Sequence, residues 1–428
     1  MRTFLLGAVA LGAVATGYAL VPGTAASQPE PAPVSTAPVP PVPAVSAGLV
    51  AHEWGTFTSF SGSDGVPVSF TPNNEDLPYF VYYPRDTVGK GGRLLHGGLV
   101  SMETPVVYFY AARETRVSVN VDFPKGWITE WYPFASAAPV NTPKSDKAGG
   151  QSIRWDVKLV PGEPVKFPRT PPNREGVANP YYSARETDAV PVQAELPARG
   201  NRDDNGRLDE YSLRGGTVIQ REKFLFYRGV GTFAPPVVVN ALGGDKVRVS
   251  NNSGGTASGA VLLTARAGKI GFRPLGTLAM GASTEAALPE LSAKVDDLAA
   301  FLVKELTAVG LYEKEAKAMV ATWSDAWFHE DGSRVLYLVP RAKTDELLPI
   351  TISPKPAELV RVLVGRHDFL TPEQEATAEK QIKRLRAAQD ELNAAHTELN
   401  ALGRFRAQAE QIANKRLDAK PTAAAPQK

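Results

Sequence analysis

The 428-residue sequence contains no cysteine. This absence excludes disulfide bonds, thiolate metal sites and a cysteine nucleophile. A metal ion would need histidine, carboxylate or backbone oxygen ligands, and the chain has only five histidines. Any metal centre would therefore have to be assembled from these groups across the fold.

Excess charge of one sign is also absent. Lysine and arginine total 47 against 45 aspartate and glutamate, a formal net charge of +2. A long-range positive field is therefore missing, and we expect no nucleic-acid role. With 43% hydrophobic and 21% charged residues, the chain has ample material for a packed interior.

The catalytic signatures that depend on fixed spacing are missing too. The sequence has no G-x-S-x-G, no G-x-x-x-x-G-K-[ST], no H-E-x-x-H, and no G-x-G-x-x-G between a strand and a helix. We therefore expect no nucleotide cofactor. A two-carboxylate glycoside mechanism stays open, because its acids need no fixed spacing in sequence.

Only one long apolar run is present, at the N-terminus. Arg2 precedes the apolar stretch 4–21, and small residues follow at 24–26. This pattern predicts an export signal over residues 1–26, with an uncleaved membrane anchor as the alternative. We expect no membrane span in the mature chain unless this segment is retained.

The next segments differ sharply in composition. Residues 27–48 form a Pro/Ala-rich linker, whose composition favours an extended spacer. Residues 49–275 show short apolar alternations such as Val117, Val119 and Val121. We therefore predict a β-rich α+β protein with an antiparallel, sandwich-like body.

Residues 276–370 change to helical spacing. Leu298, Leu302 and Leu306 predict one helix, and a second helix that ends near His329 would complete a helical hairpin. Segment 334–339 is apolar on both faces, which predicts an interior strand. This α/β segment either completes the β-rich body or packs against it as a small lobe.

A long charged helix is predicted over residues 371–419, before a disordered tail at 420–428. Leu385 and Leu392 follow the seven-residue spacing of a coiled coil, but Gln389 and His396 occupy the second apolar row. The helix is therefore a candidate contact for a protein partner, with coiled-coil self-association as the alternative.

The aromatic stretch 50–60 carries the first candidate site. His52 and Glu53 are either a reactive pair or a buried structural pair whose polar atoms are hydrogen-bonded. A metal centre could use them with His329. The structural alternatives are that His329 ends a helix, where the helix dipole favours a cation, and that His367 lies beside a helix cap.

Four further charges lie beside apolar or aromatic segments. Arg185 and Asp188 follow two tyrosines and suit either a binding site or a salt-bridged loop. Glu103 and Arg228 stand at the edges of apolar strands, so we expect them to pair with each other or with the Arg185 loop. These residues complete the list of candidate catalytic groups.

An acidic segment raises a calcium hypothesis. Its oxygen-bearing residues resemble the first half of an EF-hand loop, but Ser212 takes the position of the bidentate glutamate. The alternative is an ordinary acidic turn. The candidate ligands are Asn201, Asp203, Asn205 and Asp209.

Four stretches carry a resemblance: HEWGTF at 52–57, ETPVVYFY at 103–110, EKFLFYRG at 222–229 and SRVLYLVP at 333–340. In these the chain resembles a group of exported bacterial proteins with no known function. The resemblance spans most of 49–370 and implies an extracytoplasmic location in the periplasm, cell envelope or medium, but no activity.

Two functions therefore stand as hypotheses. The first is a bacterial envelope protein that serves as a binding or structural module. The alternative is a secreted hydrolase, with or without a metal ion, whose site lies around His52 and Glu53. The two differ in whether those side chains share one pocket.

Overall fold

The computed structural model describes residues 48–69, 77–84, 99–139, 150–170, 179–196 and 218–401. All of them belong to one contact unit, Val45–Lys428. The predicted signal (1–26), residues 27–47 of the linker, residues 402–419 of the long helix and the tail (420–428) lie outside the described residues. So do His96 and the candidate calcium loop at 201–209.

Sixteen strands lie within the described residues. In chain order they are β1 (Val50–Ser61), β2 (Val100–Tyr110), β3 (Thr115–Phe123), β4 (Gly126–Tyr132), β5 (Gln151–Leu159), β6 (Val192–Leu196), β7 (Val218–Glu222), β8 (Leu225–Gly231), β9 (Val237–Gly243), β10 (Lys246–Asn251), β11 (Ala257–Arg266), β12 (Lys269–Leu278), β13 (Ser283–Ala287), β14 (Gly332–Leu338), β15 (Ile350–Ser353) and β16 (Glu358–Phe369).

These strands form three sheets. The central sheet has the order β12-β11-β14-β16-β1-β2-β8-β4, and the smaller sheets have the orders β15-β3-β5-β6-β7 and β13-β10-β9. Most pairs are antiparallel, so the predicted β-rich class with antiparallel sheets is confirmed. The pair β1 and β16 is parallel along its whole length, a departure from the purely antiparallel expectation.

Helices complete the described elements. They are a 3-10 helix (Pro180–Arg185), α1 (Val295–Ala308), α2 (Glu313–Ser324), a π-helical turn (Asp325–His329), α3 (Arg341–Leu347) and α4 (Pro372–Ala401). Helices α1 and α2 contact each other, and α2 also contacts the 3-10 helix. Within the described residues, no helix has the length and apolar character needed to cross a membrane.

Both faces of the central sheet are covered, which explains why strands such as β1 are buried along nearly their whole length. One face packs into a core shared with the smaller sheets, to which β1 contributes Ala51 and Phe57. The other face packs under α1 and α2, and there β1 contributes Val50 and Trp54. We call the second side the helix face.

The C-terminal segment supplies two strands of the central sheet. β14 lies between β11 and β16, as expected for a strand that is apolar on both faces. β16 in turn lies between β14 and β1. The sequence left open whether residues 276–370 complete the β-rich body, and two of their strands, β14 and β16, lie in the middle of its largest sheet.

Candidate functional site

His52 and Glu53 project to opposite faces of β1, as neighbouring strand residues must. On the helix face, His52 is fully buried, and its Nδ1 lies 2.8 Å from Glu315 Oε2 on α2. Tyr110 donates to Glu315 Oε1 at 2.8 Å. This cluster joins α2 to the sheet.

On the opposite face, Glu53 accepts hydrogen bonds from Tyr227 Oη at 2.7 Å and Arg361 Nε at 2.5 Å. Arg361 Nη1 also donates to Asp345 Oδ1 of α3 at 2.7 Å. Burial raises the pKa of Tyr227, and the neighbouring Glu53 carboxylate raises it further. His52 and Glu53 therefore belong to separate clusters and share no pocket among the described residues.

Arg185 fastens the 3-10 helix to β7. Its guanidinium donates to both oxygens of Glu222, at 2.9 and 2.6 Å, and to Pro168 O at 2.8 Å. The guanidinium also lies 4.8 Å from the ring centre of Tyr182. Burial raises the pKa of Glu222, which the bonds from Arg185 partly offset. These contacts are those of a salt-bridged loop.

The remaining predicted residues lie apart. Asp188 pairs with Lys314 at 2.6 Å on the surface, where both side chains are more than half exposed. His329 ends the π-helical turn, is also more than half exposed, and lies 3.9 Å from Asp325. Among the described residues, no group of three or more histidines and carboxylates could hold a metal ion.

His367 is not at a helix cap. It lies in β16, fully buried, with Nδ1 2.8 Å from Ser59 Oγ and Nε2 3.0 Å from Ser61 Oγ. The capping interpretation failed because β16 was not predicted: Arg361, Arg366 and Asp368 interrupt its apolar pattern. Those charges are accommodated by ion pairs with residues distant in sequence.

A row of register breaks crosses four neighbouring strands of the central sheet. The β1 and β2 pairing shifts at Gly55, the β2 and β8 pairing shifts between Met102 and Val106, and the β4 and β8 pairing shifts between Ile128 and Glu130. Such bulges are over-represented next to active sites, where they redirect side chains. We call this row the bulge site.

The backbone at the centre of the row is unusual. Thr104 has a φ of +42°, a left-handed conformation that β-branched residues rarely adopt and that costs about 1–3 kcal/mol. The adjacent Pro105 approaches β1 so closely that a Cβ atom at Gly55 would lie 2.8 Å from its Cα. Glycine is therefore required where β1 passes the bulge.

Two carboxylates and one arginine meet at the bulge site. Arg228 Nε lies 3.5 Å from Glu103 Oε2, so the predicted pairing of these two residues is present. Glu130 lies directly opposite Arg228 in the β4 and β8 register, which places both side chains on one face. Ser101 donates to Glu103 and Thr129 donates to Glu130, so each carboxylate is held by a neighbouring hydroxyl.

A small notch opens beside these charges on the helix face. Its volume is about 20 Å³, enough for one water-sized group, and its lining includes Thr104, Arg228, Tyr181 and Trp323. Thr104 Oγ1 and Trp323 Nε1 are buried, with no hydrogen-bond partner within the described part of the chain. Buried polar atoms without partners are rare, so the notch is suited to a group that bonds to both.

Sequence reasoning found Glu103 and Arg228 but missed Glu130, Thr104 and Trp323. The available signal for Glu130 was a carboxylate inside the otherwise uncharged and aromatic-rich run Gly126–Tyr132. The φ of Thr104 and the position of Trp323 on the notch depend on tertiary packing, and no local pattern encodes them.

Comparison with protein-family models and with curated proteins finds no match. Function is therefore inferred from the residues and their geometry.

Proposed function

We propose that the protein is an exported bacterial envelope protein that binds a hydroxyl-rich ligand, of the carbohydrate class, at the bulge site. The observation that carries the proposal is the coincidence of three register breaks with the notch at Thr104, Arg228 and Trp323. Export rests on the signal-like residues 1–26, and binding rests on the chemistry of the notch.

The notch offers complementary groups to a hydroxyl. Trp323 Nε1 is a donor only, whereas the Thr104 hydroxyl both donates and accepts. A ligand hydroxyl can accept from the indole and donate to Thr104, which satisfies both buried atoms at once. Arg228 also lines the notch, and it pairs with Glu103 and lies opposite Glu130 in the sheet, so a charged group stands beside the two neutral ones.

Aromatic rings lead from the surface toward the notch. Tyr79 is 62% exposed and its ring centre lies 5.9 Å from that of Phe80. Phe80 lies 5.8 Å from Tyr181, which lines the notch. Aromatic faces beside a few placed polar groups are the usual composition of small-molecule sites, and sugar rings stack on such faces.

Glu103→Gln is expected to weaken oligosaccharide binding by about tenfold to a hundredfold. The change keeps the side-chain shape but removes the charge that pairs with Arg228, so the hydrogen bonds around the notch are rearranged. Isothermal titration calorimetry with a panel of soluble oligosaccharides measures the affinity of both proteins.

The matched control is Glu285→Gln, which removes the same charge from the exposed Arg248 pair on β10 and β13. We expect this control to bind as the unsubstituted protein does. Equal affinities of the two variants for a bound oligosaccharide, or no binding by any member of the panel to the unsubstituted protein, would contradict the proposal.

The alternative at the same site is hydrolysis, favoured by the two carboxylates beside Arg228. One carboxyl group protonates the leaving oxygen, and the other acts as nucleophile or activates water. A reducing-end assay on the same oligosaccharides separates this activity from binding alone. Glu103→Gln would then abolish turnover, whereas the Glu285→Gln control would still generate new reducing ends.

We also propose the finer arrangement expected from the sequence, a sandwich-like body with a helical hairpin. It is supported by the core cluster that combines residues of the central and smaller sheets. Helix α4 stays our proposed contact for a protein partner, because Leu385 and Leu392 are 70% and 52% exposed along it.

A further inference from the structure

Helix α4 is surrounded by solvent along nearly its whole described length. Its first turn is fastened to the body, where Glu375 accepts hydrogen bonds from Ser63 N at 2.7 Å and from Ser63 Oγ at 2.6 Å. From residue 376 to residue 398 every residue is exposed. Helices in proteins gain most of their stability by packing an apolar face against a neighbour. No such neighbour covers α4 within the described part of the chain.

An apolar row runs along this exposed helix with a seven-residue period. It consists of Leu385, Leu392 and Leu399, of which the first two are more than half exposed. A coiled-coil seam needs a second row, which lies either three or four residues after the first. The row four residues after the leucines is polar, because it consists of Gln389 and His396.

The row three residues after the leucines is small and apolar. It consists of Ala388 and Ala395, which are both exposed. Together with the leucines it forms a continuous apolar seam in which the spacing alternates between three and four residues, as in a coiled coil. At a rise of 1.5 Å per residue the seam is about 21 Å long. We call these five residues, 385, 388, 392, 395 and 399, the leucine-alanine seam.

The alternation of large and small residues favours an antiparallel partner. In a parallel pair of copies each layer would contain two identical residues, so leucine layers would hold the helices apart where alanine layers need a close approach. In an antiparallel pair, Leu385 packs against Ala395 of the second copy, and Ala388 packs against Leu392. All four central layers then contain one leucine and one alanine, so the helices keep one constant separation.

The charges beside the seam agree with the same arrangement. Arg384, Glu391 and Glu398 each precede a leucine of the seam, so they share one flank. In the antiparallel register, Arg384 of each copy faces Glu398 of the other, which gives two ion pairs by symmetry. Glu391 meets its own counterpart beside the two-fold axis, where both carboxylates stay in solvent and salt screens their repulsion. The seam is therefore complementary to itself, which identifies a second copy of the chain as its partner.

We propose that α4 binds α4 of a second copy in an antiparallel two-fold dimer, through the leucine-alanine seam. This inference rests on the helix contact proposed above and names its partner. The two-fold axis passes near Asp390, so the two Pro372 residues at which the helices begin lie about 54 Å apart along the helix axis. The dimer therefore carries its two folded bodies at opposite ends of a pair of helices.

Sedimentation equilibrium of the full chain measures this dimer. We expect the unsubstituted protein to dimerise at micromolar concentration. Leu392→Glu should raise the dimer Kd at least about a hundredfold, because it places a charge in two central layers. Met280→Glu adds the same charge at an exposed apolar residue outside α4, so this control should leave the Kd unchanged. Because Leu392 is exposed in the single chain, circular dichroism should show the same strand signal in both variants.

Cysteine variants test the orientation, because the natural chain contains no cysteine. A disulfide needs two Cα atoms within about 7 Å of each other. In the antiparallel dimer residue 385 lies level with residue 395 of the second copy, so oxidation should cross-link the double variant Leu385→Cys with Ala395→Cys. Leu385→Cys alone should not cross-link, because its two copies lie about 15 Å apart along the helix axis.

A monomeric mass at high micromolar concentration, an unchanged Kd in Leu392→Glu, or cross-linking of Leu385→Cys alone would overturn the proposal. Its outcome is independent of the bulge site, because α4 contributes no residue to the lining of the notch. Leu392→Glu should therefore bind oligosaccharide with the same affinity per chain as the unsubstituted protein.

Discussion

Arg334→Met is expected to lower the free energy of unfolding by about 3–5 kcal/mol. Arg334 lies in β14 and is completely buried. Its Nε donates to Asp368 Oδ1 at 2.9 Å, so the substitution leaves a largely buried carboxylate with one fewer partner. Burial lowers the pKa of Arg334, which the Asp368 charge partly offsets.

The same guanidinium holds the π-helical turn. Nη1 donates to Ala326 O at 3.0 Å and to Trp327 O at 2.9 Å, and Nη2 donates to Glu330 O at 2.6 Å. Methionine retains much of the side-chain volume but supplies no donor, so these carbonyls lose bonds that water cannot easily replace.

Urea unfolding of Arg334→Met and of the unsubstituted protein gives the difference. Arg248→Met, which breaks an exposed pair, is the control and should cost less than about 1 kcal/mol. A loss in Arg334→Met no larger than in the control would show that the buried guanidinium does not hold the turn.

The second large effect is a loss of stability in acid that depends on His367. Burial lowers the pKa of His367 to about 4 in the folded chain, with Asp368 partly offsetting the shift. The unfolded imidazole has a pKa of about 6.5. The unfolded state therefore binds the proton first as the pH falls, and stability is lost between about pH 6.5 and pH 4, by about 3 kcal/mol in total.

Unfolding free energies at pH 7 and pH 4 for the unsubstituted protein and His367→Gln test this effect. Glutamine offers hydrogen-bonding groups to Ser59 and Ser61 but does not titrate. The acid-induced loss should be smaller in the variant by about 3 kcal/mol. An equal loss in both proteins would place the acid sensitivity in other groups.

The β-rich class could be predicted because alternation is a local property. Val335, Leu336 and Tyr337 identify β14 as an interior strand from a few adjacent residues, and the structure places it between two neighbours. β16 was not predicted because Arg361 and Arg366 interrupt its apolar pattern, and the carboxylates that stabilise them in the core are distant in sequence. A buried charge looks like a surface residue until its partner is known.

The bulge site was predictable in part for the same reason. Glu103 and Arg228 stood out as charges at the edges of apolar strands, and the structure brings them together. Glu130 lies opposite Arg228 only because β4 and β8 pair with a shifted register. Register across a sheet is set by long-range packing, which a single sequence does not display.

We propose that the bound ligand contacts the notch at the bulge site, and an NMR titration tests this contact most directly. The six tryptophans give six indole N–H signals. Trp323→Phe assigns the signal of Trp323, and Trp155, whose Nε1 already donates to Pro133 O at 3.0 Å, provides an internal reference. A bound oligosaccharide should shift the Trp323 signal and leave the Trp155 signal in place. Saturation without any shift of the Trp323 signal would contradict a ligand contact at the notch.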